Sequence, residues 1–309
     1  MTTLYLSHSA CLNHVTPPGH PERPDRLRAV EQVLEAEKFA GLIREQAPMA
    51  DIETVALAHP LDYVEAIREA SPREGMIALD GDTSMSPGSL EAALRAAGGA
   101  VAAVDEVVTR KVDNAFVGTR PPGHHAEIAR PMGFCLFNNV AVAARHAQKK
   151  HGLARVAIVD FDVHHGNGTQ DIFWNDPSVM YCSTHQMPLF PGTGDKSERG
   201  EYDNIVNAPL RAGDGGDTFR EAMETTILPR LDSFGPDLVI VSSGFDAHMR
   251  DPLASLNFTE DDFAWATKKL MDLADRKSGG RLVSVLEGGY DLQGLAASVS
   301  AHVTALMRG

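Results

Sequence analysis

Cysteine is scarce. Cys11, Cys135 and Cys182 lie far apart in a chain of 309 residues, and no C-x-x-C pair occurs. That pattern excludes a disulfide framework and a thiolate zinc site. Positive charge is also short: 28 Lys and Arg stand against 42 Asp and Glu, a formal net charge of −14. With no basic run, a nucleic-acid interface is not expected. The acidic balance suits cationic partners such as lysine-rich tails or polyamines, and equally serves plain solubility. Long apolar runs are missing: the longest, near Ala96–Val104 and Leu238–Val241, fall far short of a membrane span. The first Lys or Arg is Arg23, so no basic signal-peptide segment is read. The expectation is a soluble, cytoplasmic protein of a reducing compartment with no membrane partner.

Apolar residues are present in quantity, at 43% of the chain, which excludes a disordered polymer. No repeat and no Pro/Gly/Ser-rich linker divides the sequence, so residues 1–309 are read as one domain. Short β-branched runs predict strands over Thr3–Leu6, Ala115–Gly118, Arg155–Phe161, Val179–Ser183, Leu238–Ser242 and Leu282–Leu286. Several are apolar throughout, as expected of strands buried on both faces of a parallel sheet.

Helical patterns lie between the strands. Ser86-Pro87 reads as an N-cap and first-turn proline for a helix carrying Leu90, Leu94, Val101, Val104 and Val108 on one face. Further helices are predicted over Asn139–Lys150, Asp217–Leu231, from Thr259 towards Lys277, and over Leu292–Leu306. Asp214-Gly215-Gly216-Asp217 reads as a loop into a helix. Strand–helix alternation predicts a single α/β domain with a mainly parallel central sheet flanked by helices. Ligands bind such sheets at the carboxyl ends of the strands.

Chemistry-bearing residues cluster just there. Asp160-Phe161-Asp162-Val163-His164-His165-Gly166-Asn167 follows the apolar run Arg155–Val159. Period two places Asp160, Asp162 and His164 on one side of an extended chain. Two carboxylates and an imidazole aimed at one point are costly to bury unless a metal ion neutralises them. Ser242-Ser243-Gly244-Phe245-Asp246 ends the next strand and offers Asp246 as a third ligand, although a lone Asp there is equally a turn or cap residue. One His with two carboxylates leaves an open coordination position, the pattern of catalytic Zn²⁺. Fe²⁺ accepts similar donors.

Arg120-Pro121-Pro122-Gly123-His124-His125 follows Ala115–Gly118 and supplies a histidine able to act as general base. Glu287-Gly288-Gly289-Tyr290 follows Leu282–Leu286, and its phenol can donate to an oxyanion. Together these four strand ends predict metal-assisted amide hydrolysis. No G-x-S-x-G elbow, P-loop or G-x-G-x-x-G follows a strand.

The segments RPPGHHAE, MGFCLFNN, DFDVHHGNGTQDIF, FPGTG, SSGFDAHMRDPL and LEGGYDL resemble, in order and spacing, the histone deacetylase and acetylpolyamine amidohydrolase superfamily of arginase-like fold. The resemblance runs from about His20 to the C-terminus and is nearest class II deacetylases and their bacterial relatives. It implies Zn²⁺ on Asp162, His164 and Asp246, a tandem histidine pair at His124 and His125, and Tyr290 polarising the carbonyl. It further implies Asp160 pairing with His124, and Phe134 and Phe190 as walls of a narrow channel with Gly133 beside them. K⁺ is implied near Asp160, Asp162, His164, Ser183 and Thr184, with a weaker second site near Phe173, Asp176 and Val179. Asn167 stands where class I members carry a second Asp, which predicts a His125 that is neutral before water attacks. Leu253 stands where a polyamine-preferring member carries an acidic residue, which favours acyl-lysine in a protein or peptide over acetylated polyamines. Asp82 falls in the region that contacts the substrate backbone, and His20 and Glu22 in a rim loop that either touches ligand or is a structural turn. Cys135 is read as packing. The alternatives are an acetylpolyamine amidohydrolase and, in another class, a non-catalytic acyl-lysine reader. A di-manganese ureohydrolase shares the fold, but its second set of bridging aspartates is missing. The compact length weakly favours a monomer or an interface on the common core.

Overall fold

The β-branched runs do form the centre of the molecule. The computed structural model describes residues 1–308. The strands are β1 (Thr3–Ser7), β2 (Ile43–Gln46), β3 (Ile77–Ala78), β4 (Ser84–Met85), β5 (Asn114–Val117), β6 (Val156–Asp160), β7 (Val179–Gln186), β8 (Ile205–Leu210), β9 (Leu238–Ser243) and β10 (Leu282–Leu286). Eight of them make one sheet in the order β2-β1-β5-β10-β9-β6-β7-β8, while β3 and β4 pair alone. Every pair in the large sheet is parallel.

The helices are α1 (Asp25–Leu34), α2 (Ile52–Val55), α3 (Leu61–Ala70), α4 (Ser89–Val108), α5 (Asn139–His151), α6 (Asn167–Phe173), α7 (Gly216–Ala222), α8 (Leu228–Phe234), α9 (Glu260–Lys277) and α10 (Leu292–Arg308). Alternate strand residues feed two cores. Ile158, Ile240 and Val283 face the core under α4 and α5. Val159, Val241 and Phe116 face the core under α1, α9 and α10. Period two with both faces covered is why these strands are apolar throughout. Among the described residues, no helix is long and apolar enough to cross a membrane.

Several expectations need correction. Helix α4 starts at Ser89, not at Ser86-Pro87, because Ser86 N–H and Ser89 Oγ bond to each other in a turn that precedes it. The helix expected over Asp217–Leu231 is real, but a π-turn at Met223–Ile227 divides it and it runs on to Phe234. Thr259 caps α9 with a capping box closed by Asp262. Strands β2 and β8 were not anticipated. β2 is exposed at every residue, and β8 carries Pro209, which its edge position tolerates.

Candidate active site

The carboxyl ends of β5, β6, β9 and β10, neighbours in the middle of the sheet, deliver the four predicted segments to one place. Strand β6 stops at Asp160, so Asp162 and His164 sit in a bend and not on the extended chain that period two predicts. The bend is closed locally: Asp160 Oδ1 accepts from Asp162 N–H at 3.1 Å, and Asp162 Oδ1 from His164 N–H at 2.9 Å. Asp162 and His164 still converge. His164 Nδ1 lies 3.2 Å from Asp162 Oδ1 and 3.0 Å from Asp246 Oδ2. One donor atom from each of Asp162, His164 and Asp246 falls within 4.8 Å of the others, and all three residues are buried.

Electrostatics make this trio a strong site for positive charge. Burial, with Asp162 beside it, pushes Asp246 up to about 7. Burial opposes a charged ring at His164, yet Asp162 and Asp246 outweigh it and raise the imidazole to about 10. A divalent ion bound by the two carboxylates and the ring nitrogen would neutralise the buried carboxylates in place of the ring proton. The backbone leaves room for it: a Cβ at Gly288 would collide with the carboxylates of Asp246 and Asp162. One imidazole and two carboxylates fit a catalytic divalent metal with an open position.

The histidines beside it differ from each other. His124 Nδ1 lies 2.9 Å from Asp160 Oδ2. Burial opposes charge on this ring, but Asp160, Asp162 and Glu287 win and hold its pKa well above the ordinary value. His125 Nδ1 instead meets Asn167 Oδ1 at 2.8 Å. Burial, with the charges on His124 and His164, depresses its pKa well below the ordinary value.

A pocket of about 210 Å³ opens on His125 and His164, lined also by Asp82, Gly133, Phe134, Leu189, Phe190, Leu253 and Tyr290. All five residues expected to bind substrate are in that lining; Leu189 was not foreseen. Gly133 and Phe134 are both left-handed (φ 56° and 70°), and a Cβ at Gly133 would strike the His125 ring. Asp82 Oδ1 accepts from Gly133 N–H at 3.0 Å, and Thr83 Oγ1 accepts from Phe134 N–H at 3.0 Å, so this pair pins the turn that presents Phe134. The Phe134 ring packs edge-on to Tyr290 at 5.9 Å and to His20 at 4.7 Å. Burial keeps the Tyr290 phenol well above its ordinary pKa and therefore protonated.

Four supporting residues escaped sequence reasoning because each acts through a long-range contact. Glu287 Oε2 accepts from Gly123 and His124 N–H at 2.7 and 3.1 Å, fixing the histidine loop. Arg26 donates to the carbonyls of Glu287 and Gly289, both at 2.6 Å, and lies 4.8 Å over the Tyr290 ring. Asp251 accepts from Tyr290 N–H at 2.7 Å and from Leu253 N–H at 3.0 Å, so one carboxylate carries both pocket residues. Tyr181 donates to Asp160 Oδ2 at 3.0 Å. Glu22 is no rim residue: it is fully buried, held by both nitrogens of the Arg120 fork at 2.6 and 2.7 Å and by Arg26 at 3.0 Å. His20 does reach Phe134.

The potassium expectations fall on two places. Asp160, the last residue of β6, pairs with Ser183 in the middle of β7, and Thr184 Oγ1 beside it is buried without a hydrogen-bond partner. The carbonyls of Phe173, Asp176 and Val179 converge as well, but Nδ2 of Asn204 already meets them at 2.8, 3.1 and 3.1 Å.

A parallel α/β sheet with a buried His-carboxylate centre at its carboxyl edge defines a metal-dependent hydrolase of amides. Residues 20–306 match the Histone deacetylase domain, and the chain belongs to the histone deacetylase family. It is 42% identical to the histone deacetylase-like amidohydrolase of Pseudomonas aeruginosa, over 89% of this chain and 74% of that protein. It is 42% identical to histone deacetylase 14, chloroplastic, of Arabidopsis thaliana, over 98% of this chain and 76% of that protein. To the human polyamine deacetylase HDAC10 it is 40% identical over 93% of this chain, but only 44% of that longer protein. The crystal structure of the HDA15 HD domain superposes with a TM-score of 0.93 at 36% identity, covering 98% of this chain and 88% of that one.

Proposed function

We propose that this deacetylase removes acetyl or other short acyl groups from the ε-amine of lysine in proteins or peptides, with Zn²⁺ on Asp162, His164 and Asp246. The carrying observation is the convergence of those three donors, of which His164 lines a pocket walled by Phe134, Phe190 and Leu253. The bound ion supplies Lewis acidity, lowering the pKa of water and polarising the acyl carbonyl. The same donors suit Fe²⁺. K⁺ fits beside Ser183 and the unpartnered Thr184 hydroxyl, with Asp160 next to them.

The chain's own groups do the rest. The apolar walls take the alkyl chain and exclude water. His125, held neutral, accepts the proton of the attacking water at its ring nitrogen. Tyr290, protonated throughout the working range, donates its hydroxyl hydrogen to the developing oxyanion. His125 then returns the proton to the departing amine, while His124 stays charged against Asp160 and stabilises negative charge nearby. The products are a short carboxylic acid and a free amine.

Acetylated polyamines are the second reading, supported by the name of the human relative. Leu253 argues against it, because a leucine offers no charge to a distal ammonium. Bound zinc per chain and acetate release from an acetyl-lysine peptide test the proposal in the wild type and in Asp162→Asn. Zinc-loaded wild type that releases no acetate overturns it, as does an Asp162→Asn variant of undiminished activity.

A further inference from the structure

A second convergence of metal-binding side chains lies away from the pocket. Asp105 is in the last turn of α4, and His146 and His151 are in the last two turns of α5. Both helices end by leading into the amino ends of strands, α4 into β5 and α5 into β6. The three residues are therefore at the edge of the sheet opposite the catalytic centre.

His146 Nε2 and His151 Nε2 both point at one oxygen, Asp105 Oδ1, at 2.7 and 2.6 Å. Two imidazoles from one helix thus close on a single carboxylate oxygen of its neighbour. The three donor atoms lie within 4.8 Å of one another, and all three residues are partly exposed. Among the described residues this is the one group besides Asp162, His164 and Asp246 with that geometry.

We propose that Asp105, His146 and His151 form a second transition-metal site, selective for Zn²⁺-like ions, that clasps α4 to α5. Two neutral imidazoles and a carboxylate are a standard zinc donor set, and the exposed side leaves a place for water. Donors around a tetrahedral zinc stand about 3.3 Å apart. Each ring nitrogen must move away from Oδ1 by less than 1 Å, which rotation of these partly exposed side chains allows. The ion takes the two Nε2 positions that now meet Oδ1, so each neutral ring carries its hydrogen on Nδ1 when metal is bound. Lys149 and Lys150, on the same turn, add positive charge. Binding therefore rests on the three donors and not on a general acidic field.

Equilibrium dialysis of the full chain against buffered micromolar Zn²⁺, followed by metal analysis, tests this. Wild type is expected to hold two zinc ions, His146→Gln/His151→Gln one, and Asp162→Asn/Asp246→Asn one. The His146→Gln/His151→Gln variant should keep its acetyl-hydrolysing rate while losing the extra zinc-induced rise in Tm. A wild type that holds one ion, or a His146→Gln/His151→Gln variant that matches wild type in zinc content, overturns the proposal.

Discussion

Oδ1 of Asn167 lies 2.8 Å from Nδ1 of His125, where a carboxylate would have favoured a charged ring. The orientation of that amide is fixed from behind, since Asn167 Nδ2 donates to Glu127 Oε1 at 2.8 Å. The oxygen must therefore face His125, so Nδ1 carries the hydrogen and Nε2 the lone pair. Its neighbour His124 meets a carboxylate, Asp160, and is pushed the other way. Burial and the charges on His124 and His164 keep His125 neutral, Asn167 offers no carboxylate to reverse that, and Asp160, Asp162 and Glu287 keep His124 charged.

Asn167→Asp should narrow that difference between the two rings. A carboxylate at this distance favours the imidazolium and raises the pKa of His125. The acid limb of kcat/KM against pH, which marks protonation of the base, should move to higher pH. A limb that stays in place contradicts the assignment of His125 as the base.

Tyr290→Phe keeps the ring that packs on Phe134 and removes only the donor. Loss of one oxyanion donor costs roughly 10²–10³ in kcat. KM should change little, because the pocket walls remain. Steady-state kinetics with an acetylated peptide reads both numbers, and a loss confined to KM would contradict the role.

In chelated protein, the stability contributed by Asp246 and Glu287 should be lost as pH rises from about 4 to 7. Asp246 and Glu287 are both raised to about 7 by burial, so the unfolded chain ionises first and binds fewer protons across that window. Asp162, depressed against the opposing effect of burial by His124 and His164, is ionised in both states there and adds no slope. His164 gives stability that is full below 6.5 and is lost as pH climbs towards 10. Bound zinc would take the place of the protons on Asp246 and His164, so the gain in Tm on adding metal should grow from pH 5 to pH 7.5. Thermal melts with and without zinc check this; a gain independent of pH would refute it.

Glu22→Ala should cost about 3–5 kcal/mol, because it strands the buried Arg120 and Arg26 without their counter-charge. Glu22 itself is depressed well below the carboxylate range, burial being outweighed by Arg120, His14 and Arg26. Its contribution is present above about 4.5 and is lost as pH falls through the folded value. Urea midpoints at neutral pH read the effect, and a loss under 1 kcal/mol would count against it.

What the sequence announced were features with a local period. Runs such as Val156–Asp160 and Leu282–Leu286 declare themselves as doubly buried strands, and the polar residues just beyond them stand out against that background. Edge elements do not: β2, Ile43–Gln46, is exposed at every residue and has no pattern to read. Asp162 and His164 were found through an extended-chain argument that the bend after Asp160 replaces, yet they meet at Asp246 all the same. The roles of Arg26, Glu287, Asp251 and Tyr181 were hidden for another reason. Arg26 reaches Gly289 across 263 positions and Gly123 reaches Glu287 across 164, and no local spacing encodes such contacts.

The most direct measurement is kcat/KM on zinc-loaded and chelated enzyme, with an acetyl-lysine peptide beside N-acetylated putrescine and spermidine. The account predicts activity that disappears on chelation and returns with zinc, and a preference for the peptide of at least tenfold, about 1.4 kcal/mol of transition-state discrimination. Activity untouched by chelation would contradict the metal centre, and a preference for the polyamines would contradict the reading of Leu253.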